Sequence, residues 1–378
     1  MKIAIVRGDF ANPWELQNFA SLATRHEVVL FTGYKPISEV LPKIDLEHRK
    51  LFSPADLNFG KISKYRMALL NRFFVDAHIL YGLENSLKGF DIAHCAETYF
   101  SFTQQCLNAK KKGYVRKVVS TVWENIPFNN EAILGRKSYK KRSISEVDMF
   151  LTVTKGAEYA LVKEGADERK IKLLYPGVDL SVFRPITSNS YYGHKKNKNI
   201  KLLFVGRLVI EKGILDLLEV YCRLFKNNTK VELFVAGTGP LRSEIDEYIH
   251  KHCLKNIFLV GEVEYSHMPR LYSLCDILIH PVRGSKTWNE QFGMVLVEAM
   301  ACGLPVLALS NGSVDEVVGI GGKVVNPEQF SETLVDLIKN SDERKKLSKL
   351  AIQLVHKRYD ASDFSSRLED IYRNLLYG

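Results

Sequence analysis

The chain reads as an α/β protein built from two doubly wound halves. Three observations predict this. Short apolar strands alternate with helical patterns through the first half, a polar break follows, and the same alternation then restarts. Alternation of this kind implies a largely parallel sheet with helices on both faces. At 378 residues the chain is also too long for one ordinary core and suits two domains.

In the first half, Lys2–Val6, Val28–Phe31, Asp91–His94, Val118–Thr121 and Met149–Val153 read as strands, each a short apolar run. Between them Trp14–Ala23, Ile62–Asn85, Phe100–Lys111 and Gly156–Lys163 carry helical periodicity. After Phe183-Arg184-Pro185 comes TSNSYYGHKKNKN, rich in amides and lysines and poor in apolar residues, which reads as a linker. Strands resume at Lys201–Val205, Val231–Ala236, Ile257–Val260, Asp276–His280, Val306–Leu309 and Lys323–Val325. Helices fall at Leu215–Phe225, Leu241–His250, Pro269–Leu274 and Met294–Ala301, and 327–378 is helical and charged. The expected domains are 1–184, a linker at 185–199, 200–357, and a terminal helix at 358–378.

Composition narrows the class. With 46% hydrophobic and 25% charged residues, the chain is neither disordered nor fibrous. No apolar run reaches the roughly 20 residues that span a bilayer, and MKIAIVRGDF reads as a first strand and not as a signal peptide. Six cysteines (95, 106, 222, 253, 275 and 302) are scattered without a Cys-x-x-Cys pair, as suits reduced thiols in a cytoplasmic protein. His250-x-His252-Cys253 lies at a polar helix end and is not read as a metal site. The net charge of +10 is uneven: residues 1–150 hold 22 Lys and Arg against 15 Asp and Glu, the remainder 31 against 28. A basic first half favours an anionic partner, such as a membrane surface, a phosphate-bearing acceptor or nucleic acid, or only solubility. The segment KISKYRMALLNRFF (61–74) is amphipathic and fits either anionic lipid or a core with a solvated basic side. GRKSYKKR (135–142) lacks the interleaved aromatics of a single-strand nucleic-acid binder.

The most informative string is WNEQFGMVLVEAMACGLPVLA. It reads as a loop, a short helix starting near Gly293, a Gly303-Leu304-Pro305 stop and a new strand. Free amides at such a helix start, on Gly293, Met294 and Val295, form an anion site. Glu290 precedes that start, where a carboxylate can accept hydrogen bonds from sugar hydroxyls. Glu298 lies more than a turn inside, among apolar residues, and needs a partner such as a ribose diol. In LLFVGRLVIEKGILDLLE (202–219), Arg207 and Lys212 stand just beyond a strand end, where two cations could neutralise a departing diphosphate. LFVAGTGPLR (233–242) and GEVEYSHMPRLY (261–272) are further strand-to-helix turns.

Together these strings resemble retaining glycosyltransferases of family 4 (glycosyl transferases group 1), through Glu290-x7-Glu298, G-R-L-x-x-E-K-G and A-G-x-G-P. The resemblance spans nearly the whole chain and is strongest over 202–312. It implies the GT-B fold: two Rossmann-like α/β domains facing each other across a cleft, the C-terminal helix crossing back to the first domain. It implies transfer of a sugar from a nucleoside diphosphate donor to an acceptor hydroxyl of a glycan, glycolipid or glycoprotein precursor, with anomeric retention. By this match Glu290, Arg207 and Lys212 are the catalytic candidates. Gly8, Val263, Phe292, Gly293, Met294, Val295 and Glu298 are the donor-binding ones, with Val263 meeting the base.

Two places depart from the family. DIAHCAETY (91–99) keeps His94 but has Ala96 for the second histidine, and VVSTVWENIPF has Trp123 where many relatives carry a histidine near the donor sugar. His94, Trp123 and Glu124 are therefore candidates for acceptor or sugar contact only. The chain contains no Asp-x-Asp, and the expectation is an enzyme needing no metal and no cofactor. It would be cytoplasmic or peripheral to the inner face of the cell membrane. A sugar-nucleotide-binding protein without transfer, and a glycosyltransferase acting on nucleic acid, are the alternatives.

Overall fold

The structure, a computed structural model, describes residues 1–35, 46–57, 70, 75–186, 190–191, 194–195 and 198–378. It divides into two compact units: Met1–Gly177 with Ala361–Gly378, and Val178–Asp360.

The first unit holds a seven-stranded parallel sheet: β1 (Lys2–Val6), β2 (Glu27–Thr32), β3 (Glu47–Lys50), β4 (Phe90–Ala96), β5 (Val115–Val122), β6 (Met149–Thr152) and β7 (Ile171–Leu173). The order is β3-β2-β1-β4-β5-β6-β7. Its central strands are continuous apolar runs because both faces are covered. Ile3, Ile5, Leu16 and Phe19 pack on one face, with Ala4, Val6, Phe102 and Phe150 on the other. The last helix, Ala361–Tyr377, closes the first of these faces with Phe364, Leu368 and Tyr372, spaced four residues apart on one stripe. Its Tyr372 hydroxyl reaches the buried His94 ring, 2.5 Å from Nδ1, while His94 Nε2 lies 2.7 Å from Thr121 Oγ1.

The second unit begins with a small antiparallel pair, β8 (Ser190–Tyr191) and β9 (His194–Lys195). Its main sheet is β10 (Ile200–Val205), β11 (Val231–Ala236), β12 (Ile257–Gly261), β13 (Ile277–His280), β14 (Val306–Leu309) and β15 (Gly322–Val325), all parallel. The order β12-β11-β10-β13-β14-β15 reverses direction between β10 and β13. Doubly wound sheets bind ligands at the carboxyl ends of strands beside such a reversal. The helix Ile214–Phe225 shows why this half folds as it does: Ile214, Leu217, Leu218, Tyr221 and Phe225 form one apolar stripe, and all five are buried.

Some elements differ from the sequence expectation. Trp14–Ala23 is not one helix but two single turns, Pro13–Leu16 and Ala20–Ala23, joined by a 3-10 turn. Half of 62–85, residues 62–69 and 71–74, lies outside the described residues. Its described end holds one turn, Leu83–Ser86, entered through Gly82 at φ 83°. The edge strands β3 and β7 went unread, since EHRK and IKL lack an apolar run. The helix Arg136–Glu146 was also missed, because RKSYKKRSISE has almost no apolar stripe. Residues 187–189, 192–193 and 196–197 of the expected linker, and all of 61–74 except Leu70, lie outside the described residues. Among those described, no helix is long and apolar enough to cross a membrane.

The His94–Tyr372 contact gives a stability test. Tyr372→Phe leaves one nitrogen of a fully buried histidine without a partner and should lower stability by about 1–3 kcal/mol in urea titration. An unchanged midpoint would contradict a structural role for that bond.

Candidate functional site

Lys212 and Glu290, 78 residues apart in sequence, meet at the carboxyl ends of β10 and β13 with Nζ 2.5 Å from Oε2. Backbone fit brings them there. Lys212 ends a 3-10 turn that closes on Gly213 at φ 70°, and a Cβ on Gly213 would lie 2.0 Å from the Pro281 carbonyl oxygen. Only glycine lets this turn rest on the end of β13. Gly237 has the same relation to β10: a Cβ there would lie 2.0 Å from the Gly206 oxygen. Glu290 is fixed through its backbone, its N–H donating to Asn311 Oδ1 at 2.9 Å and its carbonyl accepting from Ser313 N–H at 3.0 Å.

The Glu290 carboxylate is buried, with His280 Nε2 3.3 Å from the oxygen that Lys212 holds. Burial alone would push its pKa up. The His280 imidazole against it and the Lys212 ammonium overcome this and hold it down at about 2. His280 is itself lowered from the ordinary histidine value, chiefly by burial. The Lys212 ammonium also lies over the Trp288 ring, 5.0 Å from its centroid. This gives a permanently ionised carboxylate beside a cation that still has side-chain surface exposed.

The helix Met294–Ala301 starts beside Glu290, with Gly293 at φ 81° as its first flanking residue and no side-chain cap on its leading amides. Met294 and Val295 are half-buried, so the amide end is open to an anion. Phe292 is buried, its ring edge-on to Tyr359 at 5.9 Å. Deeper in the helix, Glu298 Oε2 accepts from the Tyr272 hydroxyl at 2.8 Å. Burial raises its pKa to about 7 against the opposing hydrogen bonds from Tyr272 and Tyr265. Its partners within the protein are thus tyrosines.

Arg207 is exposed and, among the described residues, carries no ion pair. It lines an open pocket of about 210 Å³ with Gly206, Gly237, Thr238, Val263 and Met268, at the carboxyl ends of β10, β11 and β12. The structure therefore groups Arg207 with Val263, and Lys212 with Glu290 and the helix start.

In the first unit Gly8 follows β1 at φ 52°, where a Cβ would press on Phe102 at 3.2 Å. His94 has no exposure and both ring nitrogens engaged, which leaves none for a ligand. Trp123 and Glu124 follow β5, and both donate their backbone N–H to Glu97 Oε1, at 2.9 and 3.2 Å. Glu124 accepts from Ile126 N–H and from the amides of Asn129 and Asn130. Sequence reasoning missed His280, Asn311 and Tyr272. A polar residue closing the apolar strand Ile277–His280 was the available signal for the first. Asn311 and Tyr272 act through folding contacts and carried none.

Two doubly wound units, one with a cation–carboxylate pair and an open helix start at its sheet reversal, have the GT-B fold. Residues 191–354 match the family model of glycosyl transferases group 1, and the chain is similar to that group over this stretch. The uncharacterized glycosyltransferase MJ1069 of Methanocaldococcus jannaschii is 23% identical over 306 residues, covering 76% of each chain. HepE of Anabaena, solved with UDP, superposes with a TM-score of 0.76 at 16% identity over 99% of this chain and 100% of its own. Sucrose-phosphate synthase of Thermosynechococcus elongatus gives 0.76 at 16% identity over 99% of both chains.

The raised Glu298 pKa has a measurable sign. A carboxyl whose folded pKa lies above its unfolded value near 4.5 favours folding when protonated, and that advantage is lost as pH rises through about 7. Glu298→Gln removes this dependence. Its stability relative to the unsubstituted protein should therefore rise by roughly 2–3 kcal/mol between pH 4.5 and pH 8, read by denaturant unfolding. A difference that is flat with pH would contradict the burial argument.

Proposed function

We propose that this glycosyltransferase moves a sugar from a nucleoside diphosphate donor to an acceptor hydroxyl, with retention of anomeric configuration and without a metal ion. The observation that carries the reading is the meeting of Lys212, Glu290 and an uncapped helix start at one sheet reversal. Bond cleavage places negative charge on the departing diphosphate. Lys212, Arg207 and the amides of Gly293, Met294 and Val295 are the groups that answer it. In the free protein Lys212 is held by Glu290, so an arriving diphosphate shares an ammonium already in place. Glu290, ionised throughout the working pH range, accepts from donor-sugar hydroxyls, and Glu298 takes the ribose. The pocket beside Val263 takes the base, and HepE with its UDP favours uracil there.

Retention follows in this reading from attack on the face the diphosphate leaves. The bond from the anomeric carbon to the diphosphate oxygen breaks, the acceptor oxygen bonds to that carbon, and its proton passes to the leaving oxygen. Cations and helix amides stand where a divalent ion would otherwise neutralise the diphosphate. The acceptor belongs to glycan or lipid-linked chemistry. The alternatives of a non-transferring binder and of nucleic-acid glycosylation have no observation in their favour.

The test is incubation with a panel of nucleotide sugars, detecting released nucleoside diphosphate and reading the product anomer by NMR. Release from a UDP-sugar with the donor's anomeric configuration kept is expected, and it should persist in EDTA. Glu290→Gln should lower kcat by about 10²–10³-fold while nucleotide affinity changes little. Full activity in both Glu290→Gln and Lys212→Met would mean that the site is misplaced.

A further inference from the structure

The loop that carries Trp288 is built against both partners of the Lys212–Glu290 pair. At its start the Arg283 N–H donates to the Glu211 carbonyl at 3.2 Å, one residue before Lys212. The Arg283 side chain is paired with Asp216, Nε lying 3.1 Å from Oδ2. Gly284 follows, where a Cβ would come within 2.5 Å of Asn311 Nδ2 and 2.6 Å of Asn289 Oδ1. Asn311 is also the residue that accepts the Glu290 N–H. The Ser285 N–H donates to the Trp288 carbonyl at 2.7 Å and closes the loop. Trp288 is thereby tied to the Lys212 turn on one side and to the support of Glu290 on the other. Its ring is half-buried, with the Lys212 ammonium 5.0 Å from the centroid.

Lysine carries its ammonium on a long flexible stem, and several N–H donors point from it in different directions. Glu290 holds one direction and the indole face holds another. The two restraints differ in kind. A carboxylate cancels the charge of the cation that it holds, whereas an aromatic face attracts the cation through its quadrupole and leaves the net charge intact. In the donor reading Glu290 also accepts from sugar hydroxyls, and the ammonium has to answer a diphosphate. A second carboxylate in place of the ring would remove charge that the diphosphate needs. An aliphatic side chain there would cover the lysine stem without holding its head.

We propose that Trp288 is a positioning residue for the nucleoside diphosphate: its indole face keeps the Lys212 ammonium in place and fully charged for the phosphate oxygens. The ring stays in contact with the ammonium while the diphosphate is bound. The proposal rests on the donor reading above and adds to it a residue that acts through Lys212 and not on the sugar.

The test varies the electrons of the ring while keeping its shape. The protein is produced with tryptophan, a monofluorinated tryptophan or a trifluorinated one, and its UDP affinity is read by calorimetry. Each fluorine draws charge from the indole face, so affinity should fall stepwise, by about tenfold across the series. Trp288→Phe protein made with the same amino acids should show no such trend, which accounts for fluorine at Trp14 and Trp123. Without fluorine, Trp288→Leu should weaken UDP by about tenfold and Trp288→Phe, which keeps an aromatic face, by about threefold. Affinity that ignores fluorination, or an equal loss in the Phe and Leu variants, would overturn the proposal. Affinity that rises with fluorination would overturn it too, because the ring would then compete with the diphosphate for the ammonium. Failure of UDP to bind the unsubstituted protein would instead strike the donor reading itself, so the two failures are told apart.

Discussion

The ion pair between Lys212 and Glu290 is the interaction on which the ligand chemistry proposed for the second unit depends. A carboxylate in that position, buried and next to a histidine, would take up a proton or pull in solvent if it stood alone. The ammonium keeps it ionised, and it in turn keeps the ammonium at the mouth of the site. In the proposed function each partner orients the other for a different part of one donor molecule. Because Lys212 retains some exposure, a second anion can join the pair without first breaking it.

Backbone fit sets that geometry before any side chain does. Gly213 lets the Lys212 turn lie against Pro281, Gly237 lets β11 approach Gly206, and Gly312 passes so near the Glu290 carbonyl that a Cβ would come within 2.3 Å. Three close approaches converge on the sheet reversal between β10 and β13. A side chain at any of them would shift the loops by more than hydrogen-bonded recognition tolerates.

Much of this was legible in the sequence. The apolar runs of the central strands and the Gly-Pro stop after Ala301 mark elements whose local signals agree with their packing. The Glu290-x7-Glu298 string also pointed to the helix start that the structure shows. What stayed hidden had physical reasons. The strands Glu47–Lys50 and Ile171–Leu173 are sheet edges with one side solvated, and the helix Arg136–Glu146 draws its place from Arg136, Lys140 and Ser143, buried polar residues whose pairing no periodicity reports. His280 was concealed at the end of an apolar strand. The structure shows His94 as a packing residue between Tyr372 and Thr121.

The measurement that tests the central claim most directly is a titration of UDP into protein carrying isotope labels in its methionine and valine methyl groups. A nucleoside diphosphate bound at the reversal must touch both the base pocket and the helix start, so the account predicts that Val263 and Met294 shift together and saturate at one concentration. No saturable shift, or shifts confined to residues away from β10–β13, would contradict it.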